Sequence, residues 1–253
     1  MMHTHSRHVH VEHVMGTAVT IDVRGCAPPP QAIQSAVRWL HDVDATFSTY
    51  RADSAVRRLD RGELELTDAS SDVRWVIGQC ERLHRQTGGF FDAHATGTFD
   101  PSAFVKGWAI QRAADRLRAG GVTDFCLTAG GDIVTRGHAG DGTAWRVGIQ
   151  HPRDRSSIAT IVQARDVLAI ATSGAYERGE HILDPTTERP PQGVISVTVV
   201  GPDLAIADAY STAAFAMGAA GPDWTLGLHG YEAMTIRADD VVLSTPGFPA
   251  VTE

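Results

Sequence analysis

The chain has 253 residues, 43% of them hydrophobic, which suffices for one large domain or two small ones around a substantial core. A formal charge of -8 argues against nucleic acid as a partner, because phosphate backbones are held by clustered Lys and Arg. Cys26, Cys80 and Cys126 are too far apart for a CxxC site and too few for a disulfide framework, and they fit a reducing compartment.

The opening segment, MMHTHSRHVHVEHVMG, lacks the apolar core of a secretory signal, and no stretch of about 18 apolar residues follows anywhere. The chain therefore reads as cytoplasmic, without membrane insertion. His3, His5, His8, His10 and His13 read as part of a solvated, flexible lead over residues 1–13 rather than a dedicated metal site.

From Val14 to Val23 alternating apolar residues predict a strand, stopped by Pro28-Pro29-Pro30. Ile33, Val37, Leu40 and Val43 share one face of a helix expected over 31–44. After the polar connection FSTYRADS, Val73, Val76, Ile77, Cys80 and Leu83 mark a second helix over 71–86, ended by Gly88-Gly89. A glycine-punctuated loop, GGFFDAHATGTFDPSA, leads into a third helix over 104–118. Beyond it FCLTA, AWRVGIQ, SIATIVQA, VLAIATS and VISVTVV read as strands. A helix opened by Asp203 and closed by Gly218, a short helix near 224–228 and the strands EAMTIRA and VVLST complete the chain. Helices early and strands late indicate an α+β fold.

The helix ADAYSTAAFAMG raises a chemical question. Asp208, Ser211 and Thr212 stand at i, i+3 and i+4, so one face of an Ala-rich helix carries a carboxylate and two hydroxyls. A hard cation such as Mg²⁺ takes an oxygen set of this kind with few protein ligands. Alternatively Asp208 binds a neighbouring loop while the hydroxyls bond back to helix carbonyls, and the spacing does not choose.

Other segments are as ambiguous singly. Thr128-Ala129-Gly130-Gly131-Asp132 is either a close-approach loop for an anionic or planar ligand or a tight turn between strands. Ala171-Thr172-Ser173-Gly174 ends a buried strand either at a ligand or in an ordinary strand-end turn, and His181 before Asp184 is a site residue or a satisfied core histidine. Lys106, near a helix start, is ill placed for the helix dipole and has either an anionic partner or plain solvent. HExxH, GxxxxGK[ST] and GxGxxG patterns are missing from the sequence.

In order, these motifs resemble the ApbE family of FAD:protein FMN transferases. The likeness runs through Met15-Gly16-Thr17, Phe47-Ser48-Thr49-Tyr50, Gly89-Phe90-Phe91-Asp92 and Asp100 to Gly107. It continues through Ala129 to Asp132, Ala171 to Gly174, His181 to Pro185 and Ala207 to Thr212. The resemblance implies one ApbE-like domain over 1–253, of T-fold-related α+β architecture with mixed or antiparallel sheets and packed helices. It also implies FAD as substrate with Mg²⁺ at its pyrophosphate, the ion held by Asp208, Thr212, Ser211 and the Ala103 carbonyl. FAD would be contacted by Met15, Tyr50, Phe90, Phe91, Asp92, Asp100, Lys106 and Leu183. FMN would pass to a Thr or Ser hydroxyl of an acceptor flavoprotein with release of AMP, Lys106 assisting. Some members have a histidine shortly after the TSG-like turn; this chain has Tyr176 there, the catalytic candidate at that position. FAD pyrophosphatase action and flavin binding without turnover would use the same groups.

Overall fold

The computed structural model describes residues 6–95, 97–140, 142–164, 166–175 and 182–251. Two antiparallel strands, β1 (Ser6–Val14) and β2 (Thr17–Gly25), open the fold. Val14 pairs with Thr17, so Met15 and Gly16 alone make the turn, with φ of 54° and 70°. Positive φ at both positions is the mark of the type I′ hairpin, whose twist matches that of the strands. The flexible lead expected over 1–13 is thus corrected for 6–13, which are strand. The even-numbered residues of β1 lie half-buried while Val9 and Val11 face outward, the reverse of the usual alternation.

Four helices follow: α1 (Pro30–Phe47), α2 (Ala55–Asp60), α3 (Ser71–Gln86) and α4 (Ser102–Ala119). Pro30 sits in the first turn of α1, where its missing N–H costs nothing. Ser54 and Ser70 cap α2 and α3, their hydroxyls accepting the N–H of Arg57 and Val73. Helix α2 was not expected: it follows directly on the polar connection FSTYRADS, in a stretch for which no element was predicted. Helix α4 buries residues on several sides because it is wedged between α1 and a later helix.

The remaining strands are β3 (Phe125–Ala129), β4 (Asp132–Arg136), β5 (Trp145–His151), β6 (Asp154–Ala164), β7 (Leu168–Gly174), β8 (Val194–Gly201), β9 (Glu232–Arg237) and β10 (Val242–Ser244). Between β8 and β9 lie α5 (Leu204–Ala216) and the short α6 (Gly221–Thr225), the latter earlier in the chain than the 224–228 expected. Asp203 caps α5 by accepting the Ile206 N–H at 3.1 Å, and Gly218 closes its end with φ of 57°.

Eight strands form one sheet in the order β1-β2-β3-β4-β7-β8-β9-β10, every neighbouring pair antiparallel. The helices pack on one face. The β5–β6 ribbon packs on the other, where Val147, Ile149 and Val162 meet Ile170, Val200, Met234 and Ile236. This is the expected α+β architecture, and it leaves α5 enclosed between the sheet and α4. Among the described residues no helix is long and apolar enough to cross a membrane.

Candidate active site

Gly107 governs how closely α4 and α5 approach. A Cβ there would stand 2.7 Å from the Leu204 carbonyl oxygen and 2.9 Å from Ala205 Cα, so only glycine permits this spacing. One turn on, the buried Gln111 accepts the Leu204 N–H at 3.1 Å and fixes the register of the two helices. The residue beside Gly107 is Lys106, which this contact brings within reach of α5.

Lys106 Nζ lies 2.9 Å from Asp132 Oδ2 and 3.8 Å from Asp208 Oδ2, its side chain 17% exposed. The solvent alternative for Lys106 is thereby corrected: its partners are carboxylates. Asp132 is fully buried at the first position of β4, placed there by the Gly130-Gly131 turn with φ of 52° and 90°. The tight-turn reading of this segment is right, and the turn also brings Gly130 to the cleft wall. One ammonium thus faces two carboxylates in a partly desolvated place.

Asp208 and Thr212 stand one turn apart on α5 and both line the cleft, with Ala103, Lys106, Thr172, Ser173 and Gly174 around them. Ser211 does not. It is 0% exposed, donates its proton to the Asp208 carbonyl at 3.0 Å and meets Ser173 Oγ at 2.9 Å. As a metal ligand Ser211 is therefore corrected: it faces β7, not the cleft. Thr172 and Ser173 lie within β7, paired to β8, rather than in a strand-end turn.

The loop between α3 and α4 forms a second wall. The Phe91 carbonyl accepts from His84 Nδ1 at 3.1 Å and its N–H donates to Thr87 Oγ1 at 2.9 Å. These bonds turn Phe91 into the core at 2% exposure, which corrects it as a ligand contact, while Phe90 and Asp92 on either side line the cleft. Asp100 accepts the Ser102 N–H at 2.9 Å, holding the first turn of α4. Opposite, Ile182, Leu183 and Pro185 line the cleft. Asp184 Oδ1 is occupied within its own turn by the Thr186 hydroxyl and N–H, the hydroxyl foremost in holding its carboxyl below the usual carboxylate range. Tyr176 and His181 lie outside the described residues.

Past Asp100, Ser102 and Lys106 the cleft opens into a second lobe, walled by Met15, Gly16, Val43, Asp44, Phe47, Ser48, Thr49 and Tyr50. Tyr50 is 98% exposed, a ring offered to whatever enters. Ten of the residues expected at the site thus converge on two joined lobes: Met15, Tyr50, Phe90, Asp92, Asp100, Ala103, Lys106, Leu183, Asp208 and Thr212. Sequence reasoning did not assign Asp132 or Ser173 to the site, although both stood in the motifs noted.

The all-oxygen donors Asp208 and Thr212, both on the cleft wall, suit a hard cation such as Mg²⁺ by their chemistry. No group of three or more His, Cys, Asp or Glu placed to hold a metal occurs among the described residues. A cation here would complete its shell from backbone, water and substrate oxygens, as Mg²⁺ commonly does.

Compared with known proteins, the sequence matches the ApbE family over residues 15–98 and 93–235. An FAD:protein FMN transferase from Vibrio cholerae is 38% identical over 129 residues, 47% of this chain and 38% of the relative. Another, from Rhodobacter capsulatus, is 32% identical over 183 residues, 69% of this chain and 32% of the relative. The matched regions span well under half of these relatives' lengths. Among solved structures, a flavin transferase ApbE from Vibrio cholerae has a TM-score of 0.85 at 26% identity, covering 98% of this chain and 100% of that one. An ApbE protein from Thermotoga maritima shares the fold with a TM-score of 0.83 at 22% identity, covering 95% and 97%.

Proposed function

This chain belongs to the ApbE family, and on that footing we propose that it is a Mg²⁺-dependent FAD:protein FMN transferase. It moves FMN from FAD to a Thr or Ser hydroxyl of an acceptor flavoprotein and releases AMP. The observation that carries the reading is the joining, at Lys106, of a charged, oxygen-rich lobe to an open lobe with aromatic and aliphatic walls. FAD is a molecule of that duality: two phosphates beside a flat ring system.

The ring system would lie in the open lobe against Met15, Phe47 and Tyr50, and the pyrophosphate beside Lys106 and the first turn of α4, whose positive dipole end favours anions. Asp208, Thr212 and the Ala103 carbonyl would hold Mg²⁺. When bound, the ion supplies charge neutralisation on the phosphoryl oxygens. Lys106 adds a second positive charge at the same atoms, steadied by its 2.9 Å contact with Asp132 so that little reorganisation is needed during reaction. The acceptor oxygen forms a bond to the FMN phosphorus as the bond to the AMP phosphate breaks. The hydroxyl proton passes to a base, and AMP departs carrying the negative charge. Tyr176 is our candidate at the acceptor side.

Incubation with FAD, Mg²⁺ and flavoprotein acceptors from the same genome, read by mass spectrometry, tests this. The expected product is an acceptor heavier by one FMN, dependent on Mg²⁺. FMN and AMP formed equally without acceptor would instead establish a pyrophosphatase, and FAD bound but unchanged under all conditions would establish a binding protein.

A further inference from the structure

Building on the metal seat just proposed, we infer that Ser173 and Ser211 are positioning residues that fix the direction of the Thr212 hydroxyl, so that its lone pairs and not its proton face the cation. The polarity follows from counting hydrogens, since each hydroxyl has one to donate and can accept twice. Ser211 Oγ is 3.0 Å from the Asp208 carbonyl oxygen, which can only accept, so the Ser211 proton is committed there. In its 2.9 Å contact with Ser173 Oγ, Ser211 therefore accepts and Ser173 donates. With that proton committed in turn, Ser173 must accept from Thr212 Oγ1 across 3.3 Å. Three donors point one way, from Thr212 through Ser173 and Ser211 to the Asp208 main chain.

Ser211 is 0% exposed and Ser173 6% exposed at the cleft wall, which limits the competition of bulk water for these bonds, while Thr212 is half-buried and lines the cleft. Ser173 belongs to β7 and the other two to α5, so the relay also ties the ligand-bearing turn to the sheet. A hydroxyl ligates a cation through a lone pair, and a partner that takes its proton orients that lone pair before the ion arrives. This accounts for a serine on the helix face that never reaches the cleft.

The test is Mn²⁺ titration of the full chain with ADP present, followed by the electron paramagnetic resonance of free Mn²⁺, with melting curves for every variant. Asp208→Ala is expected to lose the bound Mn²⁺. Ser173→Ala should weaken Mn²⁺ by about 10-fold or more, the size seen when an outer partner of a metal ligand is removed. Ser211→Ala should also weaken it, because the freed Ser173 proton then turns on Thr212 and drives the Thr212 proton towards the ion. In a Thr212→Ala background, adding Ser173→Ala should change Mn²⁺ affinity no further. A folded Ser173→Ala or Ser211→Ala protein with wild-type Mn²⁺ affinity overturns the relay alone, as does additivity with Thr212→Ala. If Ser173→Ala does not fold, Ser211→Ala decides. Wild-type Mn²⁺ binding by Asp208→Ala overturns the seat and the relay together.

Discussion

The two lobes of the cleft are built from different material. The charged side of the inner lobe is carried by β4, β7, α5 and the glycine contact between α4 and α5, with the α3–α4 loop and residues 182–185 as its other walls. Its polar atoms are held by buried bonds. The outer lobe is made by a hairpin tip, the last turns of α1 and the segment after it, with an almost fully exposed tyrosine. Precise charge placement needs rigid support, whereas a broad planar ligand needs only surface, and on the proposed function the two lobes divide in that way.

If this division is correct, damage to the inner lobe should reduce turnover and damage to the outer lobe should reduce affinity. The largest effect is expected from Asp208→Asn, which keeps the shape and removes the charge: kcat should fall by about 10²–10³-fold with the melting temperature nearly kept. A wild-type kcat would dissolve the comparison. Next is Gly107→Ala. Its Cβ would meet backbone atoms that cannot rotate away. Strain of about 1–3 kcal/mol is expected by thermal unfolding, with a loss of up to about 10²-fold in turnover as Lys106 and Asp208 move apart.

Tyr50→Ala should act on the other side of the division. We expect KM for FAD to rise by about 10-fold, as for loss of one aromatic stacking partner worth about 1.4 kcal/mol, with kcat and stability little altered, since the ring touches solvent. The smallest effect concerns the anchoring of the hairpin. Glu12 accepts from His41 on α1 at 3.0 Å and contacts His10 at 3.3 Å. These bonds, the one from His41 foremost, lower the Glu12 pKa. A carboxylate depressed in the folded state contributes stability above its unfolded pKa and loses it as pH falls through the folded value. Glu12→Gln should therefore cost under about 1 kcal/mol at neutral pH, and the difference from wild type should vanish in acid, as measured by denaturant titration from pH 7 to pH 3.

What could be read from the sequence divides along similar lines. Local signals were legible: the stripe Val73, Val76, Cys80 and Leu83 marked α3 from end to end, and Asp203 and Gly218 bracketed α5. Strand β1 was not, because His8, His10 and Glu12 take the half-buried face and Val9 and Val11 the open one, a pattern that reads as a polar tail until its pairing with β2 is known. The site's outline was visible through its motifs, but its wiring was not. Neighbours on a helix project about 100° apart, so spacing alone could not say that Thr212 faces the cleft and Ser211 the sheet. The Lys106–Asp132 contact joins elements distant in the chain, and periodicity carries no information about it. Phe91 was misplaced for a related reason: a loop has no period from which to tell an inward ring from an outward one.

Met15 keeps a bulky side chain in the left-handed backbone region, at φ of 54°, where a residue other than glycine typically costs about 1–3 kcal/mol. An engineer ranking substitutions by thermal tolerance would replace it with Gly or Asn and see the protein harden. The same change would erase part of a wall of the outer lobe, so on the proposed function selection for robustness alone drives this chain towards a sturdier molecule with a poorer grip on FAD.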